Sequence, residues 1–196
     1  MSGIEQNSSH KVDIIPSRTL LKTVVMVGMM GAGKTAVGRA LSARLAVPFL
    51  DSDAEIESAA NMTIPEIFVR DGEPFFREKE SRVIARLLDE ERGILSTGGG
   101  AFLAPSNREL ITAKGASIWL RADLDVLWNR VKHKETRPLL RTDNPRRTLS
   151  ELCEARNPIY AKADLVVHSD GVASIEQMVD RVLEALQTRP DVLKVS

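Results

Sequence analysis

Chemistry is most plainly written in the stretch Gly28-Met29-Met30-Gly31-Ala32-Gly33-Lys34-Thr35. It follows the apolar run Val24-Val25-Met26-Val27 and opens an amphipathic segment, so it reads as strand, phosphate loop and helix. Glycines there let successive backbone N–H groups converge on an anion at the positive end of the following helix. Gly31, Ala32, Gly33, Lys34, Thr35 and Ala36 are the candidate nucleotide cradle. Lys34 would reach the β- and γ-phosphates and the Thr35 hydroxyl would ligate magnesium. The competing reading is a glycine-rich turn with an ordinary surface lysine, which leaves the flanking strand and helix patterns without a reason.

Five further groups look able to act on whatever the loop holds. Asp51-Ser52-Asp53 closes the second apolar run. One of its carboxylates could orient a metal's water shell while the other accepts a substrate hydroxyl's proton, or Asp51 or Asp53 simply caps the next helix. Arg77 and Glu80 lie within the apolar stripe formed by Phe76, Val83, Ile84, Leu87 and Leu88. Three residues apart, they can pair. The pair is either a structural salt bridge or a device by which Glu80 orients Arg77 toward a substrate carboxylate. Gly98-Gly99-Gly100 follows the apolar Ile94-Leu95-Ser96 and would leave a cleft floor without side chains. The span Arg130–Arg147 carries seven Lys/Arg against two acidic residues and is broken by Pro138 and Pro145. A solvated surface would explain it, but beside a phosphate loop it reads better as a basic lid, residues 131–147. In that lid Arg137 would meet the transferring phosphoryl group and Arg130 would stack on a base. Arg156, near a helix end, is either a second anion clamp or a charge favoured at a helix carboxyl terminus.

What must position these groups is an alternation of short apolar strands with amphipathic helices, the mark of a parallel sheet covered on both faces. Strands are expected near 23–27, 48–51, 93–96, 116–120 and 164–167. Helices are expected near 34–45, 54–60, 64–71, 73–90, 107–113, 124–134, 149–160 and 174–187. Residues 19–189 then form one domain, with residues 1–18 a flexible extension and 190–196 a tail that trails off after Arg189-Pro190. The 196 residues carry a net charge of zero and eight aromatic side chains, which gives neither an electrostatic footprint nor stacking platforms for nucleic acid. No apolar run is long enough to span a bilayer, and the first residues lack a secretion-signal pattern. The single cysteine, Cys153, reads as an apolar filler and points to a reduced compartment, hence the cytoplasm.

Taken together and in order, Gly28-x4-Gly33-Lys34-Thr35, Asp51-Ser52-Asp53, Phe76-Arg77-x2-Glu80, Ser96-Thr97-Gly98-Gly99-Gly100, Arg137-Pro138-Leu139-Leu140 and Arg156-x3-Tyr160 resemble the motif set of shikimate kinases over about residues 20–187. The resemblance implies a three-layer α/β/α P-loop kinase with a five-stranded parallel sheet in order 2-3-1-4-5. It implies transfer of the ATP γ-phosphoryl to the 3-hydroxyl of shikimate, with Mg2+; a monomer is expected, with no nucleic-acid or membrane partner. By the same resemblance Asp53, Arg77, Gly99 and Arg156 would bind shikimate, supported by Glu80, Gly98 and Gly100. Arg137 would contact the phosphoryl group, Arg130 would face the adenine and Asp51 would support magnesium. Lys34, Asp53 and Arg137 would carry the catalysis. A kinase for another small acid such as gluconate, or a nucleotide-dependent regulatory protein without turnover, are the competing readings; intact Lys34, Asp53 and Arg137 oppose the second.

Overall fold

A computed structural model describes residues 17–134 and 137–196. At its centre the apolar runs form a five-stranded parallel sheet of β2 (Thr23–Val27), β3 (Phe49–Asp51), β4 (Ile94–Ser96), β5 (Gly115–Ala122) and β6 (Leu165–Ser169), ordered β3-β4-β2-β5-β6. That is the expected 2-3-1-4-5 order once the strands of this sheet are counted alone. All of β2 and all of β4 are buried, as continuous apolar strands covered on both faces must be.

Among the described residues, eight α-helices cover the sheet: α1 (Lys34–Leu45), α2 (Ser52–Ala60), α3 (Ile64–Asp71), α4 (Glu73–Glu90), α5 (Pro105–Lys114), α6 (Leu124–Val131), α7 (Pro145–Tyr160) and α8 (Ile175–Leu186). One contiguous core joins strand residues such as Val24, Met26, Leu95 and Ile118 to Leu41, Ile84, Leu127 and Leu183 of the helices. Ile56, Ile67 and Phe76 make a smaller cluster where α2, α3 and α4 meet. Register is what builds the site. Asp51 pairs with Ser96, and Ser96 with Met26, so β3, β4 and β2 end level with one another. Whatever follows each of these strands is therefore delivered to a single edge of the sheet, the edge where α/β folds bind ligands.

Three expectations need correcting. The last residues do not trail off: Leu193–Val195 forms a strand, β7, antiparallel to β1 (Arg18–Leu20), and Leu20, Val192 and Leu193 are buried in the main core. Burial of those three apolar side chains gives the tail a reason to stay, and Lys22 adds an ion pair to Asp191. Helix α7 begins at Pro145, not near 149, because a proline is tolerated at the first helical position and the Asn144 side chain accepts the Arg147 N–H as its cap. The basic segment is accordingly shorter than 131–147. It runs from the end of α6 at Val131 to Asn144, holds a single turn at Pro138–Leu140, and tucks Leu140 into the core. The extension placed at 1–18 falls, up to residue 16, outside the described residues.

Candidate active site

Leaving β2, the chain turns through Gly28, Gly31 and Gly33 at φ 140°, 80° and 96°, conformations that L side chains seldom adopt. Gly33 is the residue before α1, so the loop delivers its N–H groups to a helix N-terminus. Lys34 folds back under the loop and donates to the Gly28 and Met29 carbonyls at 2.8 and 2.9 Å. Burial, then the nearby positive charge of Arg137, lowers its pKa to about 8. The carbonyl bonds keep the ammonium satisfied until an anion offers stronger acceptors.

A cavity of about 540 Å³ opens in front of this loop. Gly31, Ala32, Gly33, Lys34, Thr35 and Ala36 line it together with Asp51, Asp53, Gly98, Gly99, Arg130 and Arg137. Arg130 is fixed by donating to the Gly31 carbonyl (2.9 Å) and the Ser169 hydroxyl (3.2 Å). The guanidinium Nε of Arg137 is buried without a partner among the described residues. Thr35 and Asp51 place a hydroxyl and a carboxylate beside the phosphate loop, the hard oxygen donors that suit Mg2+ shared with nucleotide phosphates.

The two aspartates of Asp51-Ser52-Asp53 separate cleanly. Asp51 is the cap of α2: its Oδ1 accepts the Ala54 N–H at 3.1 Å. Asp53, in the first turn of that helix, keeps a buried Oδ1 with no partner. Burial first, and the neighbouring Asp51 charge second, raise its carboxyl to about 6. A buried, unpaired carboxylate oxygen is expensive to maintain, which is why such atoms mark places where a ligand belongs.

Gly100, Arg77, Glu80 and Arg156 stand just beyond the cavity lining, around the same glycine loop. Glu80 is 1% exposed and accepts from Arg77 at 2.9 Å through Oε1, while its Oε2 has no partner. Arg77 itself stays half-buried and bonds Glu73 too. Burial pushes the Glu80 carboxyl up and the Arg77 charge opposes it. The triple glycine turns out to be a set of three sockets. A Cβ at residue 98 would lie 2.9 Å from Asp53 Oδ1, one at 99 would lie 3.3 Å from an Arg156 guanidinium nitrogen, and one at 100 would lie 2.4 Å from both terminal nitrogens of Arg77. The Tyr160 hydroxyl, on a fully buried ring, donates to the Gly99 carbonyl. One carboxylate and two arginines therefore converge on three adjacent peptides, next door to a nucleotide-sized cavity. Such a site could hold a small hydroxylated acid against a phosphate donor.

The shikimate kinase family profile matches residues 30–187. A shikimate kinase of Ruegeria pomeroyi is 69% identical over 196 residues, covering all of both chains. The chain belongs to the shikimate kinase family. It is thus an ATP-dependent kinase enzyme of the P-loop class. A shikimate kinase of Cereibacter sphaeroides is 70% identical over 175 residues, 89% of this chain and 87% of the relative. Among solved structures, the shikimate kinase of Acinetobacter baumannii in complex with shikimate superposes with a TM-score of 0.81 at 35% identity, covering 86% of this chain and 94% of that one. A gluconokinase of Sinorhizobium meliloti shares the fold alone, at 20% identity and a TM-score of 0.55.

Every sequence-derived site residue lies in or beside this one cleft. Sequence reasoning missed Ser169, Ala173, Ile175 and Met178, which also line the cavity, with Ser169 accepting from Arg130. The signal was available in their position after the last parallel strand, where ligand walls are built. It also treated Tyr160 as a motif letter without a role.

Proposed function

We propose that the protein transfers the γ-phosphoryl group of ATP to the 3-hydroxyl of shikimate, giving shikimate 3-phosphate and ADP on the route to aromatic amino acids, and that it does so as a cytoplasmic monomer. The observation that carries this reading is the location of Asp53. Its unpartnered carboxylate oxygen sits between the phosphate-loop cavity and the arginines around Gly99 and Gly100.

In this reading ATP lies along the cavity with its phosphates on the N–H groups of Gly31 to Ala36 and its base toward Arg130. Lys34 exchanges its two carbonyl acceptors for phosphate oxygens. Thr35 and Asp51 would hold Mg2+, which neutralises phosphate charge when bound. Arg137, with its orphan Nε, faces the same anion from the basic segment. Arg77 and Arg156 grip the shikimate carboxylate, Glu80 holds Arg77 in line, and the peptides of Gly98, Gly99 and Gly100 let the ring lie close. Asp53 takes the hydroxyl: a carboxyl raised to about 6 is ionised at neutral pH yet basic enough to accept a proton as the bond to phosphorus forms. A loose transition state asks more of orientation than of basicity, so aiming the hydroxyl is the larger part of its task.

Among the described residues no helix is long and apolar enough to cross a membrane. The test is a pair of Michaelis constants. Arg77→Ala should raise KM for shikimate by about a hundredfold, the loss of a charge-assisted bidentate contact, with KM for ATP changed less than about twofold. Equal effects on both substrates would make the Arg77–Glu80 pair a purely structural bridge.

A further inference from the structure

The cavity is also walled by Ser169, Ala173, Ile175 and Met178, which belong to the end of β6, the loop after it and the start of α8. That loop is held by one side chain. Asp170 Oδ1 accepts the N–H groups of Val172 (2.9 Å) and Ala173 (2.8 Å), and Oδ2 accepts Arg181 at 2.7 Å. Arg181, on α8, donates its other terminal nitrogen to the His168 carbonyl at 3.0 Å, tying the end of the strand to the helix. Gly171 supplies the turn at φ 79°, where a Cβ would crowd Val126 at 3.0 Å. Ser174 and Gln177 close the arrangement with a capping box at the start of α8. The residue before Asp170 is also committed: Ser169 holds Arg130, and Arg130 holds the phosphate-loop carbonyl of Gly31.

From this geometry we infer that Asp170, locked by Arg181, is a positioning residue for the nucleoside of the phosphate donor, shaping the 170–174 loop into the wall of its pocket before the nucleotide arrives. The inference rests on the reading of this cavity as the ATP site. Among the described residues Asp170 bonds Val172, Ala173 and Arg181 and neither the phosphate loop nor the glycine sockets, so its influence should reach the nucleoside and stop there. Preorganisation of this kind lowers the ordering cost of binding without adding a contact. The hydrogen bonds that Asp170 accepts hold its carboxyl well below the usual carboxylate range, so the lock stays charged at any pH where the enzyme works.

A ligand pair separates this role from general stability. ADP carries a nucleoside and inorganic tripolyphosphate does not, yet both present a phosphate chain to Lys34. Asp170→Ala should weaken ADP binding, measured by calorimetry well below the melting temperature, by about tenfold while tripolyphosphate binding and KM for shikimate move less than about twofold. Asp170→Asn, which keeps an acceptor for the Val172 and Ala173 N–H groups, should recover most of the ADP affinity. Equal weakening of ADP and tripolyphosphate in Asp170→Ala, or unchanged ADP affinity in a folded variant, overturns the inference. Failure of the unaltered protein to bind ADP at all would instead remove the ATP-site reading on which it stands.

Discussion

Two glycine loops face each other across the cleft, and their glycines are there for different reasons. In the phosphate loop, Gly28, Gly31 and Gly33 all sit at positive φ, so the requirement is conformational at all three, with crowding added at Gly28 by the Leu120 carbonyl (2.9 Å) and at Gly31 by Val131 (2.8 Å). At Gly33 a Cβ would meet nothing closer than 3.8 Å. In the second loop none of Gly98, Gly99 and Gly100 has positive φ. There the requirement is steric, because Asp53, Arg156 and Arg77 occupy the space a Cβ would take. One loop uses glycine to aim its own amides; the other uses it to admit side chains from α2, α4 and α7. The lesson is that a run of glycines names no function until the backbone angles and the neighbours are known.

Substitutions can break that contrast, beginning with the side chain that Gly98 admits. Asp53→Asn should lower kcat by about a thousandfold with ATP affinity nearly unchanged, measured by steady-state turnover and nucleotide titration. In the unaltered enzyme kcat/KM should fall below pH about 6 as Asp53 protonates and above about 8 as Lys34 loses its charge. The sign for stability is the opposite of that for activity. The Asp53 carboxyl titrates in the fold above its ordinary value, so ionisation at neutral pH costs stability that protonation restores as pH falls through about 6. Asp53→Asn should therefore melt a few degrees higher than the unaltered protein at pH 7.5, and the advantage should shrink as pH falls through about 6 and vanish once pH is below the ordinary carboxylate value of 3.8. A melting point unchanged at pH 7.5 would mean that Asp53 is solvated after all.

Gly100→Ala tests the steric loop itself. It adds no backbone strain but displaces the Arg77 guanidinium, so KM for shikimate should rise by about a hundredfold and KM for ATP should stay put. Gly33→Ala is the mirror experiment. With open space but φ 96°, it should cost only strain, about 1–2 kcal/mol, and weaken ATP binding by about tenfold without touching shikimate. If the two substitutions gave the same substrate pattern, the distinction between the loops would collapse. Smallest of all on activity, deletion of residues 190–196 should leave both Michaelis constants within about twofold. It should nonetheless lower the melting temperature by several degrees, since it strips Val192 and Leu193 from the core.

How far the sequence could be read follows from where its physics is local. Continuous apolar runs and 3.6-residue stripes expose the five parallel strands and the eight helices, and three of those helices, α1, α3 and α4, have the bounds expected of them. The pairing of β1 with β7 leaves no such trace, because each strand is three residues long and its partner lies at the other end of the chain. Pro145 was taken for a breaker when it opens a helix, a choice settled by the Asn144 cap and not by the proline. The inward pair Arg77 and Glu80 was legible because charge inside an apolar stripe is a contradiction that needs a reason. Which of Asp51 and Asp53 caps α2 was not legible, since both are good capping residues and only the register of β3 against β4 decides. The nucleoside wall was missed because Ala173, Ile175 and Met178 are apolar residues with no motif of their own.

The central claim is that one cleft joins a phosphate donor to a small hydroxylated acid. The most direct measurement is ADP release by the purified protein with Mg-ATP, with and without shikimate, the product followed by phosphorus NMR. ADP release should require shikimate and match, mole for mole, a new phosphate monoester on it. ADP released at the same rate without shikimate, or faster with gluconate in its place, would contradict the claim.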